Sequence, residues 1–295
     1  METPQSGVYA ASLTPLTASY EPDIPALIRH VEQLLETGSN GVAILGSTGE
    51  ANSLTLDQRL SIIKQSAQEL PPERLIMGTG SCSLKDAVRL TQASVDVGVY
   101  AVLVLPPFYY KPQSDESVLR YYSELISFVN DPRLRIIFYS FPLLSGYNFS
   151  LGILQEFKQR FGEIAAGIKD SSGNWENMLN ITQNVPDFMV YTGTETLLLD
   201  ILRAGGAGCI TASANLIAPE CKHVYEAWKN DQQETAEQAQ KKLTLLRRAL
   251  EIYPFVSELK SLLAEQTKST VWQNMLPPFS LLLDEQVKEL TLQIK

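Results

Sequence analysis

The feature that most constrains the fold of this chain is a repeated alternation of short apolar runs with segments of helical periodicity. The apolar runs have the length and composition of strands that are covered on both faces. Eight such runs occur, at residues 8–16, 41–45, 75–79, 100–105, 134–139, 164–168, 189–192 and 207–211. Eight alternations of strand and helix over about 220 residues predict an α/β fold, a closed (β/α)8 TIM barrel, whose usual length is about 250 residues.

The segments between these runs carry the helical pattern. The apolar positions of residues 24–36 fall on one helical face, and Thr55 is suited to cap a helix over residues 56–70. Further helices are predicted at residues 84–97, 116–129, 151–161, 174–183, 196–204 and 219–229. A doubly wound open sheet is the competing arrangement, and a Gly-x-Gly-x-x-Gly loop after the first strand would favour it. The chain instead continues as Leu13-Thr14-Pro15-Leu16-Thr17, so the closed barrel is preferred.

The end of the chain is purely helical in pattern. Helices are predicted at residues 232–253, 255–265 and 284–294, interrupted by Pro254 and by Pro277-Pro278. We therefore divide the chain into a barrel over residues 1–225, which carries the active site, and a three-helix C-terminal extension over residues 226–295. The extension is expected to pack on the barrel.

Composition excludes several classes of function. The net charge of −9 disfavours binding to nucleic acid or to an anionic membrane surface. Residues 1–7 lack an apolar signal core, and no segment approaches the ~20 apolar residues of a membrane span, so a cytoplasmic location is expected. Cys82, Cys209 and Cys221 are widely spaced, which indicates neither disulfides nor a metal site and leaves three reduced, buried thiols as the expectation.

Lys169 is the most informative single residue. It lies in Gly167-Ile168-Lys169-Asp170-Ser171-Ser172-Gly173, where the sixth predicted strand gives way to a polar turn. A lysine taken out of water loses its proton more readily, and the neutral amine can attack a ketone to form a Schiff base. A strand-end lysine that extends to solvent explains this residue equally well on its own.

Polar residues follow other predicted strands, at the end where a (β/α)8 barrel builds its active site. After the second strand, Gly46-Ser47-Thr48-Gly49-Glu50 offers backbone amides and two hydroxyls suited to a carboxylate, or forms an ordinary turn. Tyr139 ends the fifth strand, where its phenol either relays protons or packs. The aromatic loop at residues 106–112 either covers a pocket, reaches a neighbouring subunit, or is a proline-stiffened surface loop.

Residues around the seventh and eighth strands complete the candidate pocket. They line the pocket or simply form a turn and a helix start, and Ser171, after the lysine, is expected beside the substrate. The other members of this set are Gly193, Thr194, Glu195 and Ile210.

In their order and spacing, three of these motifs resemble a known family. They are Gly46-Ser47-Thr48-Gly49-Glu50, Tyr139-x-x-Pro142 and Gly167-x-Lys169-Asp170. The family is that of dihydrodipicolinate synthase and N-acetylneuraminate lyase, the pyruvate-handling class I aldolases, and the likeness covers residues 7–219.

The resemblance implies a mechanism and an assembly. Lys169 would form an imine with a 2-oxo acid, Tyr139 would shuttle protons, and Ser47 and Thr48 would hold the pyruvate carboxylate. Tyr109 matches the tyrosine that this family lends across a subunit interface to the hydroxyls of Tyr139 and Ser47. The family implies a homo-oligomer, a dimer of dimers. Pyruvate and an aldehyde or 2-keto-3-deoxy acid are the implied partners, with neither metal nor organic cofactor.

Departures from the family pattern bear on the substrate. Leu144 stands where the synthase branch has an arginine for the carboxylate of aspartate semialdehyde, and an apolar side chain cannot replace a guanidinium. Glu195 stands where the sialic-acid lyase branch has an aspartate, while Thr196 and Ala212 replace a glutamate and a serine. A 2-keto-3-deoxygluconate-type or 4-hydroxy-2-oxoglutarate-type acid is therefore favoured.

Four alternatives remain open at this point. They are 4-hydroxy-tetrahydrodipicolinate synthase of lysine biosynthesis, an imine-dependent dehydratase or hydratase, a catalytically silent barrel that binds a 2-oxo acid, and a phosphate-binding barrel isomerase.

Overall fold

A closed parallel barrel forms the centre of the computed structural model, which describes residues 6–294. Each strand pairs with the next, and β8 pairs with β1, where Tyr9 lies opposite Ile210. The strands are β1 (Gly7–Ala11), β2 (Gly41–Ile44), β3 (Leu75–Gly78), β4 (Ala101–Val104), β5 (Ile136–Ser140), β6 (Ala165–Asp170), β7 (Met189–Thr192) and β8 (Gly208–Thr211). The predicted (β/α)8 barrel is confirmed. Residues 1–5 of the predicted polar N-terminus, and residue 295 of the predicted extension, lie outside the described residues.

Helices alternate with these strands as the apolar periodicity predicts. Thr55 caps α2 by accepting a hydrogen bond from the Gln58 amide at 3.2 Å. The helices are α1 (Ile24–Thr37), α2 (Leu56–Glu69), α3 (Leu84–Asp96), α4 (Asp115–Val129), α5 (Pro142–Ser145), α6 (Leu151–Phe161), α7 (Trp175–Asn184), α8 (Leu198–Arg203), α9 (Ala214–Lys229), α10 (Gln233–Ala249), α11 (Phe255–Thr267) and α12 (Asp284–Gln293).

The two largest differences from the predicted boundaries lie in β1 and α9. Strand β1 ends at Ala11 rather than at residue 16, because the apolar residues after it leave the sheet and are buried under neighbouring elements. Helix α9 starts at Ala214, before Pro219, which the sequence pattern placed at the helix start. A non-helical turn at Ile217 (φ −123°, ψ 33°) interrupts the helix ahead of the proline.

Close packing of backbone sets the position of β6. A Cβ atom on Gly167 would lie 2.3 Å from the carbonyl oxygen of Met189 in β7, so only glycine fits here. The side chains of Tyr9, Ile137, Tyr191 and Ile210 fill the interior of the barrel. Lys169, two residues after Gly167, therefore sits on a strand that is held on both sides.

The C-terminal helices pack against the barrel. Leu243 of α10 and Leu259 of α11 belong to the same buried apolar cluster as Leu198 of α8 and Val224 of α9. No helix within residues 6–294 is long and apolar enough to cross a membrane. The three cysteines are free, but only Cys209 and Cys221 are buried. The expectation of a buried thiol is wrong for Cys82, which lies exposed in the loop between β3 and α3.

Helix α11 buries several polar residues that lie close together in the sequence. The apolar pattern of the helix does not predict their burial. These residues are Ser257, Glu258, Lys260 and Ser261. Glu258 accepts a hydrogen bond from the Tyr253 amide through Oε2 at 3.1 Å, while its Oε1 has no hydrogen-bond partner among the described residues. Burial raises the pKa of Glu258 from its ordinary 4.5 to about 7.

We expect Glu258→Gln to stabilise the protein at pH 8 but to change its stability little at pH 4.5. The folded-state pKa lies above the unfolded one, so the folded protein loses stability as the pH rises from about 4.5 to about 7, where only the unfolded chain has ionised. The amide accepts the same hydrogen bond without carrying a charge. Thermal unfolding at both pH values measures the effect, expected as a few degrees in Tm.

Glu265→Gln serves as the control, because Glu265 lies exposed on the same helix in a surface ion pair with Lys268. An equal effect of Glu258→Gln at both pH values would contradict the assignment of a raised pKa.

Candidate active site

Lys169 lies next to Tyr139 at the carboxyl end of the barrel. The two residues are paired neighbours on β6 and β5, and both are about 5% exposed. The Lys169 Nζ atom lies 4.5 Å from the centroid of the Tyr139 ring. The lysine side chain therefore does not extend to bulk solvent, which favours the nucleophile over the alternative of a strand-end lysine reaching water.

The loop after β2 brings two hydroxyls to the same cavity. Ser47 and Thr48 line a cavity of about 550 Å³ together with Lys169 and Tyr139. The loop is a tight turn in which the Gly49 amide donates to the Gly46 carbonyl oxygen at 3.1 Å. A cavity of this size accommodates a small organic acid.

Five further residues named in the sequence analysis lie on this cavity, and four do not. Ser171, Gly193 and Thr194 line it, as do Thr196 and Ala212. The residues that lie elsewhere are Tyr109, Leu144, Glu195 and Ile210.

Each of these four residues has a clear location. Tyr109 is 75% exposed and stacks edge-on against Tyr110, in the loop after β4. Leu144 is exposed on the short helix α5, and Ile210 is buried inside the barrel. Glu195 is fully buried beneath the cavity wall.

Glu195 holds an arginine instead of facing the cavity. It accepts hydrogen bonds from Thr211 Oγ1, at 2.5 Å, and from Ser213 Oγ. Its Oε2 also lies 3.4 Å from Nη1 of Arg247, a buried residue of α10. The Arg247 Nε donates to Glu251 at 2.9 Å. Arg247 is thus held between two carboxylates.

Residues of the C-terminal extension form the remaining wall of the cavity, which the sequence analysis missed. They are Arg247, Arg248, Glu251, Phe255, Val256 and Phe279. Arg247 stacks on Phe255, with its guanidinium carbon 4.3 Å from the ring centroid. The pair of arginines in the last turn of α10 was the available signal, but basic residues are common at helix C-termini for electrostatic reasons.

Arg248 differs from Arg247 in its surroundings. It is exposed at the cavity wall, and within residues 6–294 no carboxylate is paired with it. Arg247, in contrast, has two carboxylate partners. Of these two neighbouring arginines, Arg248 is therefore the one available to a bound anion.

Asp170 shapes the turn after the lysine. Its Oδ1 accepts from the Ser172 amide at 2.7 Å and its Oδ2 accepts from Asn177 Nδ2 at 3.2 Å. These bonds fix the backbone beyond Lys169, and the Asp170 side chain is itself buried. Among the described residues, no cluster of three or more His, Cys, Asp or Glu side chains could hold a metal ion.

This arrangement can bind and activate a small 2-oxo acid. A buried amine stands against a phenol, while two hydroxyls in the same cavity can donate to a carboxylate.

Comparison with known proteins shows which family this chain resembles. Residues 4–295 match the sequence profile of the Dihydrodipicolinate synthetase family. A protein named as an uncharacterized DapA-like lyase from Chloroflexus aurantiacus is 31% identical over 234 residues, covering 79% of this chain and 78% of its own. A 4-hydroxy-tetrahydrodipicolinate synthase from Methanopyrus kandleri is 32% identical over 248 residues, covering 83% of this chain and 81% of its own.

Solved structures share the whole architecture. The dihydrodipicolinate synthase of Agrobacterium tumefaciens superposes with a TM-score of 0.88 at 26% identity, over 98% of each chain. A variant of the 2-keto-3-deoxygluconate aldolase of Sulfolobus solfataricus superposes with a TM-score of 0.87 over 98% of this chain and 94% of its own. Its identity of 21% shows a common fold alone. The profile match covers nearly the full length, and this chain therefore belongs to the dihydrodipicolinate synthetase family and is a lyase of that family.

Proposed function

We propose that this protein is a Schiff-base aldolase that forms or cleaves a small 4-hydroxy-2-oxo acid, with pyruvate as one partner. The observation that carries the proposal is the position of Lys169, a buried amine 4.5 Å from the centre of the Tyr139 ring in a cavity shared with Ser47 and Thr48. A lysine with these neighbours can attack a ketone whose carboxylate is held by hydroxyls.

The reaction follows from these groups. The neutral amine of Lys169 adds to the pyruvate ketone, water leaves, and an iminium forms that withdraws electrons from C3. Loss of a C3 proton gives an enamine, which adds to an aldehyde carbon, and hydrolysis then returns the lysine and releases the 4-hydroxy-2-oxo acid. Cleavage is the reverse sequence. Tyr139 is the proposed proton carrier, and the iminium serves as the electron sink without a further cofactor.

The far wall of the cavity selects the aldehyde partner. Thr196, Ala212 and Arg248 line it, whereas Leu144 lies outside. Arg248 favours an acid with a second anionic group, so we place a 4-hydroxy-2-oxoglutarate-type substrate ahead of an uncharged sugar acid of the 2-keto-3-deoxygluconate type.

A second candidate is 4-hydroxy-tetrahydrodipicolinate synthase. The relative from Methanopyrus kandleri carries this name, and its identity of 32% supports the assignment. Leu144 argues against it, because that position lacks the arginine that would meet the carboxylate of aspartate semialdehyde. Dehydration or hydration through the same imine is a third candidate.

An oligomer is part of the proposal. In the aromatic loop after β4, Tyr109 is 75% exposed and Tyr110 is 81% exposed. Exposed tyrosines on one loop suit a contact with a second copy of the chain. We propose that a dimer of dimers places Tyr109 of one subunit near the Tyr139 and Ser47 of another.

We expect incubation with pyruvate and borohydride to produce a covalent adduct on Lys169. Borohydride reduces the imine and fixes the three-carbon unit to the nitrogen. Peptide mass mapping locates the adduct. Lys158 is the matched control, because it is also partly buried near β6 but donates to the Ala165 carbonyl oxygen at the opposite end of the strand. An adduct on Lys158, or none at all, would contradict the mechanism.

We expect Tyr139→Phe to slow turnover by roughly 100-fold or more and to leave the Lys169 adduct detectable, because it removes the proton carrier but keeps the ring. Steady-state release of pyruvate measures the rate. Tyr147→Phe is the control, since Tyr147 is buried near the same strand but its hydroxyl donates to Asp115 at 2.6 Å, outside the cavity. Unchanged turnover of Tyr139→Phe would remove Tyr139 from the proton relay.

We expect Arg248→Ala to raise KM for a 4-hydroxy-2-oxoglutarate-type acid by about 10-fold, the effect of losing a charged hydrogen bond. KM for an uncharged 2-keto-3-deoxy sugar acid should stay within about twofold. Arg203→Ala, which removes an exposed arginine paired with Glu237, is the control. Equal losses for both substrates would show that Arg248 does not read a second anionic group.

A further inference from the structure

A buried ion pair lies directly behind the loop that carries Ser47 and Thr48. It joins Glu50, the last residue of Gly46-Ser47-Thr48-Gly49-Glu50, to Lys260 in the middle of α11. Both side chains are completely inaccessible to solvent. The C-terminal extension therefore contacts the candidate carboxylate-binding loop through its interior, away from the cavity surface.

Each partner of the pair has a second anchor in the extension. The Leu276 amide donates to Glu50 Oε2 at 2.7 Å. Lys260 Nζ donates to the Asn274 carbonyl oxygen at 2.9 Å, and Asn274 Nδ2 donates to the Leu16 carbonyl oxygen at 2.9 Å. Glu50 is thus held by α11 and by the segment that follows it.

The backbone of Glu50 shows that this anchoring acts on the loop. Its φ of 55° and ψ of 27° lie in the left-handed region, which residues other than glycine adopt at a cost in free energy. In this conformation the Glu50 amide donates to the Ser47 carbonyl oxygen at 3.2 Å. The conformation that closes the turn under the two hydroxyls is therefore one that the side-chain contacts of Glu50 have to maintain.

Stability alone is a poor reason for such a pair. Transferring both charges out of water costs free energy that offsets much of their mutual attraction. Well-packed apolar side chains of similar size often stabilise a protein equally well. Burial lowers the pKa of Lys260, while Glu50 acts in the opposite direction. The position of the pair, under a loop with two functional hydroxyls, indicates what it provides beyond stability.

We propose that Glu50 and Lys260 are positioning residues that fix Ser47 and Thr48 at the distance from Lys169 that a 2-oxo acid requires. This inference rests on the proposed imine chemistry. Pyruvate is a rigid three-carbon molecule whose carboxylate would bind the loop while its ketone faces the Lys169 amine. The loop and the lysine must therefore be held at a fixed distance from each other. The C-terminal extension is in this way part of the pyruvate site without touching the substrate.

The test compares pyruvate with acetone, which offers the same ketone without the carboxylate. Both are trapped on Lys169 with borohydride, and the concentration that gives half-maximal trapping is measured in wild type and variants. The variants are Glu50→Gln, the milder Glu50→Asp, and the double variant Glu50→Gln/Lys260→Met, which removes both charges together and so leaves no unpaired buried charge. Lys268→Met, at the exposed end of α11, is the matched control.

We expect the half-saturating concentration of pyruvate to rise roughly 10- to 100-fold in the folded variants, because a displacement of about 1 Å is enough for such a loss. Trapping of acetone should stay within about twofold of wild type, and Lys268→Met should match wild type with both compounds. A purely structural role would instead weaken both compounds equally.

The double variant separates positioning from stability. Its Tm should lie above that of Glu50→Gln, yet its response to pyruvate should remain impaired. If both Tm and the half-saturating concentration of pyruvate return to their wild-type values in the double variant, the inference is overturned. The same holds if every folded variant traps pyruvate as wild type does, or loses pyruvate and acetone in equal proportion. Absence of any Lys169 adduct in wild type would instead refute the proposed function itself.

Discussion

Closure of the barrel by pairing β8 with β1 is the constraint on which the site depends. In a closed ring of parallel strands all eight carboxyl ends meet around one opening, so residues far apart in sequence share a single cavity. Lys169 and Tyr139 come from adjacent strands, whereas the Ser47 loop follows β2 on another part of the ring. An open sheet would leave β2 and β6 separated by the intervening strands. Closure of the barrel therefore brings residues from separate strand ends into one cavity.

The sequence predicts the parts of this site that have a local signal. A lysine, a tyrosine and a Gly-rich loop with two hydroxyls stand at strand ends, where apolar runs change to polar turns, and the fold requires those ends to meet. Glu195 also stands at a strand end, yet its side chain turns into a buried network with Arg247. The position of a residue along a strand thus predicts its neighbourhood but leaves the direction of its side chain undetermined. That direction depends on packing against α10, which has no signature near residue 195.

The electrostatics of the cavity likewise come from tertiary packing. The chain has a net charge of −9, but Lys169, Arg247 and Arg248 all line the cavity. The charge of Arg247 is balanced by Glu195 and Glu251. Arg247 therefore stabilises the structure but contributes little attraction for an anionic ligand. Arg248 is then the group that favours an anionic ligand, and local attraction of this kind acts over distances within a Debye length of about 8 Å. An acidic protein can therefore hold an anionic substrate.

The barrel and the extension are separate parts of the topology, but residues from both line the candidate active site. Two buried glutamates at strand-end loops, Glu50 and Glu195, find their cationic partners Lys260 and Arg247 on α11 and α10. Removing either cation by substitution would leave its carboxylate buried without a charged partner, which costs about 3–5 kcal/mol for each broken pair. The candidate substrate-binding loops are therefore held in their observed form by contacts with the C-terminal helices. The C-terminal helices lie outside the (β/α)8 repeat, yet they complete its active-site end.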